Sequence, residues 1–317
     1  MIVIGIDIGG TSIKGASVNE QGKILDKFSI PIIHNKKQID AVNRLADTVS
    51  TFINEHHYDE PISGIGIGVP GVVDINKGLI CYCPNLKWKD INLVEILEKK
   101  LNLPVKITND ANAAALGEYV FGSGKEYNSL IMITLGTGVG GGVVMNNQLL
   151  EGNQGKGFEL GHMVIQLNGR PCGCGRKGCF EQYASASALI YDTKLEMEKN
   201  KNSLMHQVSK ELDMVDARVA FIAAKEGDES AIKVVNQYIA YLGEGLLNYC
   251  NIFRPEVIVL SGGVANEGEY LFNKVNEYLK EHNYGVIGNN IPTVKVVPST
   301  LGYDSGKIGA ACLFLKK

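Results

Sequence analysis

The chain carries one pattern twice. Residues 2–18 read IVIGIDIGGTSIKGASV and residues 129–145 read SLIMITLGTGVGGGVVM. Each is an apolar strand, a glycine turn with a Gly-Thr pair (Gly10-Thr11, Gly136-Thr137) and a second apolar strand. Short apolar runs bounded by glycines specify strands joined by tight turns. Their recurrence marks an internal duplication of a domain core.

The segments after each hairpin support two α/β domains. KILDKFSI extends the first hairpin to a meander. Helical periodicity then runs from about Lys36 to His57, with Ile39, Val42, Leu45, Val49, Phe52 and Ile53 on one face. ISGIGIGVPG (62–71) and PVKITND (104–110) read as strands, and NLVEILEKKL (92–101) and ANAAALGEY (111–119) as helices. In the second half helices are expected near 180–190, 215–225, 229–252, 267–281 and 305–315, and strands at VIVLSGGV and PTVKVVPS. A length of 317 residues gives each domain its own core. Two α/β domains create a cleft, a usual place for a ligand.

The net charge of -3 provides no basic footprint for nucleic acid or an anionic membrane. No apolar run reaches membrane-span length, and MIVIGIDIGG lacks the basic-then-apolar layout of a signal peptide. A cytoplasmic location is the expectation. Seven cysteines, an odd number, argue against a complete disulfide framework. Cys81 and Cys83 read as ordinary strand or loop thiols, and Cys250 and Cys312 as packed helical residues.

The other three cysteines lie in GHMVIQLNGRPCGCGRKGCFE at 161–181. His162, Cys172, Cys174 and Cys179 form a four-ligand set for structural zinc, with no position left open. Glu159 and Glu181 flank this loop, which suggests that it shapes a polar pocket.

Three glycine turns can approach phosphate. DIGGTSIK offers Gly9 and Gly10, with Thr11 and Lys14 adding a hydroxyl and a charge. LGTGVGGG offers Gly136, Thr137 and Gly138. SGGV offers Gly262 and Gly263 between a strand and a helix, whose N-terminus suits a nucleotide. The Walker pattern is absent, and a strand rather than a helix follows GVGGG, which excludes a dinucleotide fingerprint there. Asp7, directly before the first turn, suits Mg²⁺ held through water, or simply caps the turn.

DIGGT, the second hairpin and the SGG turn together resemble the actin-like ATPase and sugar kinase superfamily. NDANAAALGE (109–118), ELGH (159–162) and CGCGRKGCFE (172–181) narrow the resemblance to the ROK family of bacterial sugar kinases and sugar-responsive repressors. The match runs in order through nearly the whole chain. It implies two actin-like (ribonuclease H-like) domains flanking a ligand cleft, 1–118 with 303–317 and 119–302, the final helix returning to the first. It also implies a homodimer.

The resemblance further implies an ATP-dependent hexose kinase with ATP, Mg²⁺ and structural Zn²⁺, and glucose as the leading acceptor. N-acetylmannosamine, N-acetylglucosamine, fructose and β-glucosides share the motifs. Asp110, at a strand end, is then the base that takes the sugar hydroxyl proton, though an Asp there also suits a helix N-cap. Asn109, Asp110, Glu159, His162 and Glu181 would contact sugar hydroxyls, with Gly71 and Asn85 framing the other side. Carboxylates and amides suit the paired donors and acceptors of adjacent hydroxyls. His162 would serve zinc with one ring nitrogen and sugar with the other. Thr108 departs from the pattern, since relatives often carry an acid there. Repressors of the family carry a helix-turn-helix domain before the first strand, which here is expected to start at Ile2.

Overall fold

The computed structural model describes residues 1–33, 37–285 and 291–315. Lys36, where the periodicity places the start of the first helix, lies outside the described residues. The chain opens with the expected meander of β1 (Ile2–Ile8), β2 (Ser12–Asn19) and β3 (Ile24–Pro31). Helix α1 (Gln38–Glu55) buries Val42, Leu45, Val49 and Phe52 along one stripe, as 3–4 spacing dictates. Ile39, assigned to that face by its spacing, is exposed instead.

Strand β4 (Ile62–Val69) leads into a small antiparallel sheet that the sequence pattern did not reveal: β5 (Val72–Asp74), β6 (Leu79–Cys83) and β7 (Trp88–Asn92). Helix α2 (Leu93–Leu101) starts where the Asn92 side chain accepts from Glu95 N. Strand β8 (Val105–Asn109) runs directly into α3 (Asp110–Val120).

The second copy of the pattern forms β9 (Leu130–Leu135), β10 (Val139–Met145) and β11 (Gln148–Leu150). The helix expected at 180–190 is two helices, α4 (Glu181–Ala184) and α5 (Ala186–Lys199), broken at Ser185, whose side chain caps α5. The short α6 (Met205–Val208) and α7 (Val219–Lys225) precede the long α8 (Glu229–Phe253). Strand β12 (Val257–Ser261), α9 (Glu269–His282), β13 (Lys295–Pro298) and α10 (Ser305–Ala311) complete the order. Cys250 and Cys312 are buried, as expected of packed residues.

Sheet topology repeats as the sequence does. One sheet has the order β3-β2-β1-β4-β8 and the other β11-β10-β9-β12-β13. In the first, β1 pairs antiparallel with β2 and parallel with β4, and β4 is parallel to β8. In the second, β10–β11 is antiparallel and β12–β13 parallel. The first is a meander extended by two parallel strands, the arrangement of an actin-like α/β domain, and the second has the corresponding strand order.

The chain divides into two compact units. One holds 1–132, 142–158 and 300–317; the other holds 133–141 and 159–299. Helix α10 packs on α3, β1 and β4 within the first. Two glycines permit that approach: a Cβ on Gly5 would lie 1.9 Å from the Lys307 carbonyl oxygen, and one on Gly66 1.8 Å from that of Ala310.

Candidate active site

In the first unit the C-terminal ends of β1, β4 and β8 lie side by side. Asp7 pairs with Gly68, and Val69 pairs with Asn109. Three parallel strands therefore deliver Asp7, the Pro70-Gly71 turn and Asn109-Asp110 to one sheet edge, where ligands of open α/β sheets bind. Gly71 has φ +96, and a Cβ there would meet the Tyr82 carbonyl oxygen at 2.4 Å, so the turn requires glycine.

Asn109, rather than Asp110, caps α3. Its Oδ1 accepts from Ala111 N at 2.9 Å and Asn112 N at 3.2 Å, and its Nδ2 donates to Gly71 O at 3.2 Å. Asp110 occupies the first turn, and its Oδ1 also accepts from Ala111 N at 2.9 Å. Cys83 lies close enough for burial, and then the Asp110 charge, to push its thiol up. Asn85 sits in a short turn, Pro84–Leu86, 3.9 Å from where a Cβ on Gly10 would stand.

The first glycine hairpin closes with Gly9 N donating to Ser12 O at 2.9 Å and sets Asp7 opposite Lys14. Burial raises the Asp7 carboxyl above the usual aspartate range, while Lys307 and Lys14 pull it back. Lys307, only 4% exposed, was not recognisable in the sequence as part of this group. Its Nζ lies 2.8 Å from Asp304 Oδ1, and Gly306 beside it packs directly on the Asp7 carboxylate.

Thr108, one residue before Asn109, is fully buried and donates to Glu151 Oε1 at 2.5 Å. The carboxylate beside this strand thus comes from the glycine-rich segment 151–158. That segment is held further by Ile75 N donating to Gln154 O at 3.1 Å and by Lys156 Nζ at 3.4 Å from Asp74 Oδ2.

In the second unit, Gly136 N donates to Gly138 O at 3.1 Å across the second glycine turn. The turn is tied to the segment after the cysteine loop. Ala186 N donates to Gly136 O at 2.8 Å, Ser187 Oγ to Thr137 O at 2.8 Å, and Val139 N to Glu181 Oε2 at 3.1 Å. Gly262, φ +94, closes against the Leu135 carbonyl oxygen, which sets the SGG turn beside the end of β9. Gly263 starts a short 3-10 turn, Gly263–Glu267, so the SGG turn does not open α9 directly as the sequence implied.

Glu159 and His162 bracket one 3-10 turn, with His162 N donating to Glu159 O at 3.0 Å and Tyr249 Oη to Leu160 O at 2.6 Å. His162 Nδ1 lies 3.6 Å from Cys172 Sγ, and Cys174 Sγ lies 3.6 Å from Cys179 Sγ. The ligand atoms of all four residues lie within 4.8 Å of one another. Tetrahedral zinc with bonds of about 2.3 Å to sulfur separates its ligands by roughly 3.8 Å, so the set fits that ion. Burial pushes the Cys179 thiol up to about 12 and raises Cys172, so a bound cation is what would hold these sulfurs as thiolates. Glu181 Oε1 stands 3.7 Å from Cys172 Sγ, and Gln182 Nε2 donates toward both.

Comparison with known proteins agrees with this geometry. The ROK family model matches residues 3–317. The chain belongs to the ROK family. A glucokinase of Thermotoga maritima is 35% identical over 316 residues, 99% of this chain and 98% of that protein. A glucokinase of Halalkalibacterium halodurans is 36% identical over 314 residues, 98% of this chain and 94% of that protein. The crystal structure of a ROK family glucokinase from Streptomyces griseus in complex with glucose and AMPPNP superposes with a TM-score of 0.82 at 33% identity, covering 99% of each chain.

In this ROK chain each unit therefore gathers its own set. The first brings together Asp7, the Gly9-Gly10 hairpin with Thr11 and Lys14, Gly71, Asn85, Asn109 and Asp110. The second joins Glu159, His162, Glu181 and the three cysteines to Gly136–Gly138, with Gly262-Gly263 next to β9. Sequence reasoning missed Thr108–Glu151, Lys307 and Ser187; a lysine inside the small-residue run SGKIGAA was the one available signal.

Proposed function

We propose that this ROK protein is an ATP-dependent hexose kinase that transfers the γ-phosphoryl group of MgATP to the 6-hydroxyl of glucose. The observation that carries the proposal is Asp110. It follows the strand end, in the first turn of α3, while Asn109 takes over the capping duty and braces Gly71. The names of the Thermotoga and Streptomyces relatives support both the activity and the acceptor.

In the proposed reaction Asp110 takes the proton from the sugar O6 as that oxygen attacks the γ-phosphorus. The bond from phosphorus to the β–γ bridging oxygen breaks, and ADP leaves with that electron pair. Phosphoryl transfer asks the protein for positioning, charge neutralisation and a base. The proposed sugar contacts are Asn109, Asn85 and the Gly71 turn in the first unit and Glu159, His162 Nε2 and Glu181 in the second. The Gly9-Gly10, Gly136–Gly138 and Gly262-Gly263 turns, with Thr11, Thr137 and Lys14, would contact the nucleotide; Gly9 N and Gly136 N, which close their own turns, are not among the donors.

Asp7 fits Mg²⁺ held through water, because burial lifts its carboxyl and a cation would offset that cost. Bound Mg²⁺ would neutralise charge on the phosphates. His162 Nδ1, Cys172, Cys174 and Cys179 would hold zinc in a closed, structural site, leaving Nε2 for sugar. The proposed functional halves are 1–118 with 303–317 and 119–302; the shared sheet of β9 to β13 speaks for this division, whereas the compact units place 119–132 and 142–158 with the first. We place the enzyme in the cytoplasm as a homodimer; the odd count of seven cysteines supports the first, family resemblance the second.

ADP release measured across a panel of sugars tests the proposal. Glucose should give the highest kcat/KM. Turnover with an N-acetylhexosamine, fructose or a β-glucoside and none with glucose would reassign the acceptor, and no ADP from any sugar would remove the activity.

A further inference from the structure

Val139, the first residue of β10, is gripped from both sides. Its N–H donates to Glu181 Oε2 at 3.1 Å, and its carbonyl oxygen lies where a Cβ on Gly161 would be, at 2.0 Å. The ELGH turn and the residue that ends the cysteine loop thus both rest on the strand that leaves the second glycine turn. Glu181 also crowds Gly138, where a Cβ would meet Oε2 at 2.4 Å. On its other side the same carboxylate faces the metal cluster, with Oε1 at 3.7 Å from Cys172 Sγ and 3.3 Å from Gln182 Nε2. Two further bonds, Ala186 N to Gly136 O and Ser187 Oγ to Thr137 O, both 2.8 Å, complete the fastening of the turn.

We infer that Glu181 is a positioning residue for the second phosphate turn, so that the order of the cysteine loop sets nucleotide affinity directly and without sugar. This rests on the proposed kinase reading, in which 136–138 meet phosphate and the Cys/His set holds zinc. Within that reading Glu181 would otherwise serve sugar alone, and zinc removal would disturb sugar binding first. The geometry instead routes the loop into Gly136–Val139 through one carboxylate. A turn whose N–H groups must converge on an anion depends on fixed backbone orientation. Glu181 supplies an acceptor for Val139 N and a wall against Gly138, and its own place is set by the metal loop.

The test is calorimetric binding of Mg·AMPPNP to the full-length protein without sugar, with zinc content measured alongside. Glu181→Ala should weaken binding about fivefold, the value of roughly one hydrogen bond. Glu181→Gln should stay within about twofold of the unsubstituted protein, because an amide oxygen still accepts from Val139 N. Ser187→Ala, a change at an exposed position, should weaken binding about twofold and gives an answer if Glu181→Ala does not fold. Zinc-stripped protein should lose as much as Glu181→Ala.

Unchanged affinity in Glu181→Ala and in zinc-stripped protein would overturn the inference, as would equal losses in the Ala and Gln variants. In those cases a loss of glucose affinity in Glu181→Ala would leave the kinase proposal standing. An unsubstituted protein that binds no AMPPNP would instead defeat the kinase proposal itself.

Discussion

Thr108 Oγ1 donates a 2.5 Å hydrogen bond to Glu151 Oε1. It joins the strand that delivers Asp110 to the glycine-rich segment 151–158, after which the chain reaches Glu159. Thr108→Val keeps the shape and removes the donor. We expect a loss of about 1.5–3 kcal/mol of unfolding free energy, the cost of withdrawing a hydrogen bond from a charged group. Urea unfolding of the two proteins at neutral pH measures it; no change would mean that water replaces the hydroxyl.

The same carboxylate makes stability depend on pH. Burial raises the Glu151 pKa above its ordinary 4.5, and the Thr108 bond only partly lowers it. The folded state therefore holds the proton more tightly than the unfolded one. The resulting stabilisation is complete below 4.5 and is lost as pH rises through the raised folded value. Glu151→Gln should lack this component, so subtracting its unfolding-free-energy profile from that of the unsubstituted protein should leave a decline over that window. A flat difference would refute it.

Glu118 is a buried carboxylate that fastens the segment before α10. Its Oε1 accepts from Leu301 N at 2.8 Å, and its Oε2 from Ser123 N at 2.8 Å and Thr300 N at 3.3 Å. Glu118→Ala strands these N–H groups and should cost about 3 kcal/mol or more. Glu118→Gln, which keeps one acceptor oxygen, should fall between. Thermal melts of the three proteins give the order, and equal melting temperatures would contradict it.

The Cys/His set should carry one zinc ion per chain by elemental analysis. Cys179→Ser, at a fully buried ligand, should lose that zinc and lower the melting temperature. Retained zinc at one per chain in the variant would exclude Cys179 as a ligand.

Apolar runs broken by glycine turns made β1, β2, β9, β10 and the duplication readable, because buried strands beside tight turns leave a strong local signal. Strands β5 to β7 left none. They are three to five residues long and carry exposed polar or half-exposed positions such as Lys89 and Tyr82, and their turns depend on tertiary fit at Gly71 and Gly78. Residues at strand ends, Asp7 and Asp110 among them, were legible because the strand pattern stops there. The exchange of capping duty to Asn109 was not, since neighbouring Asn and Asp cap equally well. Thr108–Glu151 and Val139–Glu181 join residues 43 and 42 apart through single hydrogen bonds, which no periodicity records.

In the proposed hexose kinase reaction everything turns on Asp110 acting as the base. Steady-state ADP release at saturating glucose and MgATP, compared between the unsubstituted protein and Asp110→Asn, tests it most directly, with glucose affinity measured in parallel. The kcat of Asp110→Asn should fall about 10²–10⁴-fold, with glucose affinity changed by no more than about threefold. An undiminished kcat in Asp110→Asn would contradict it.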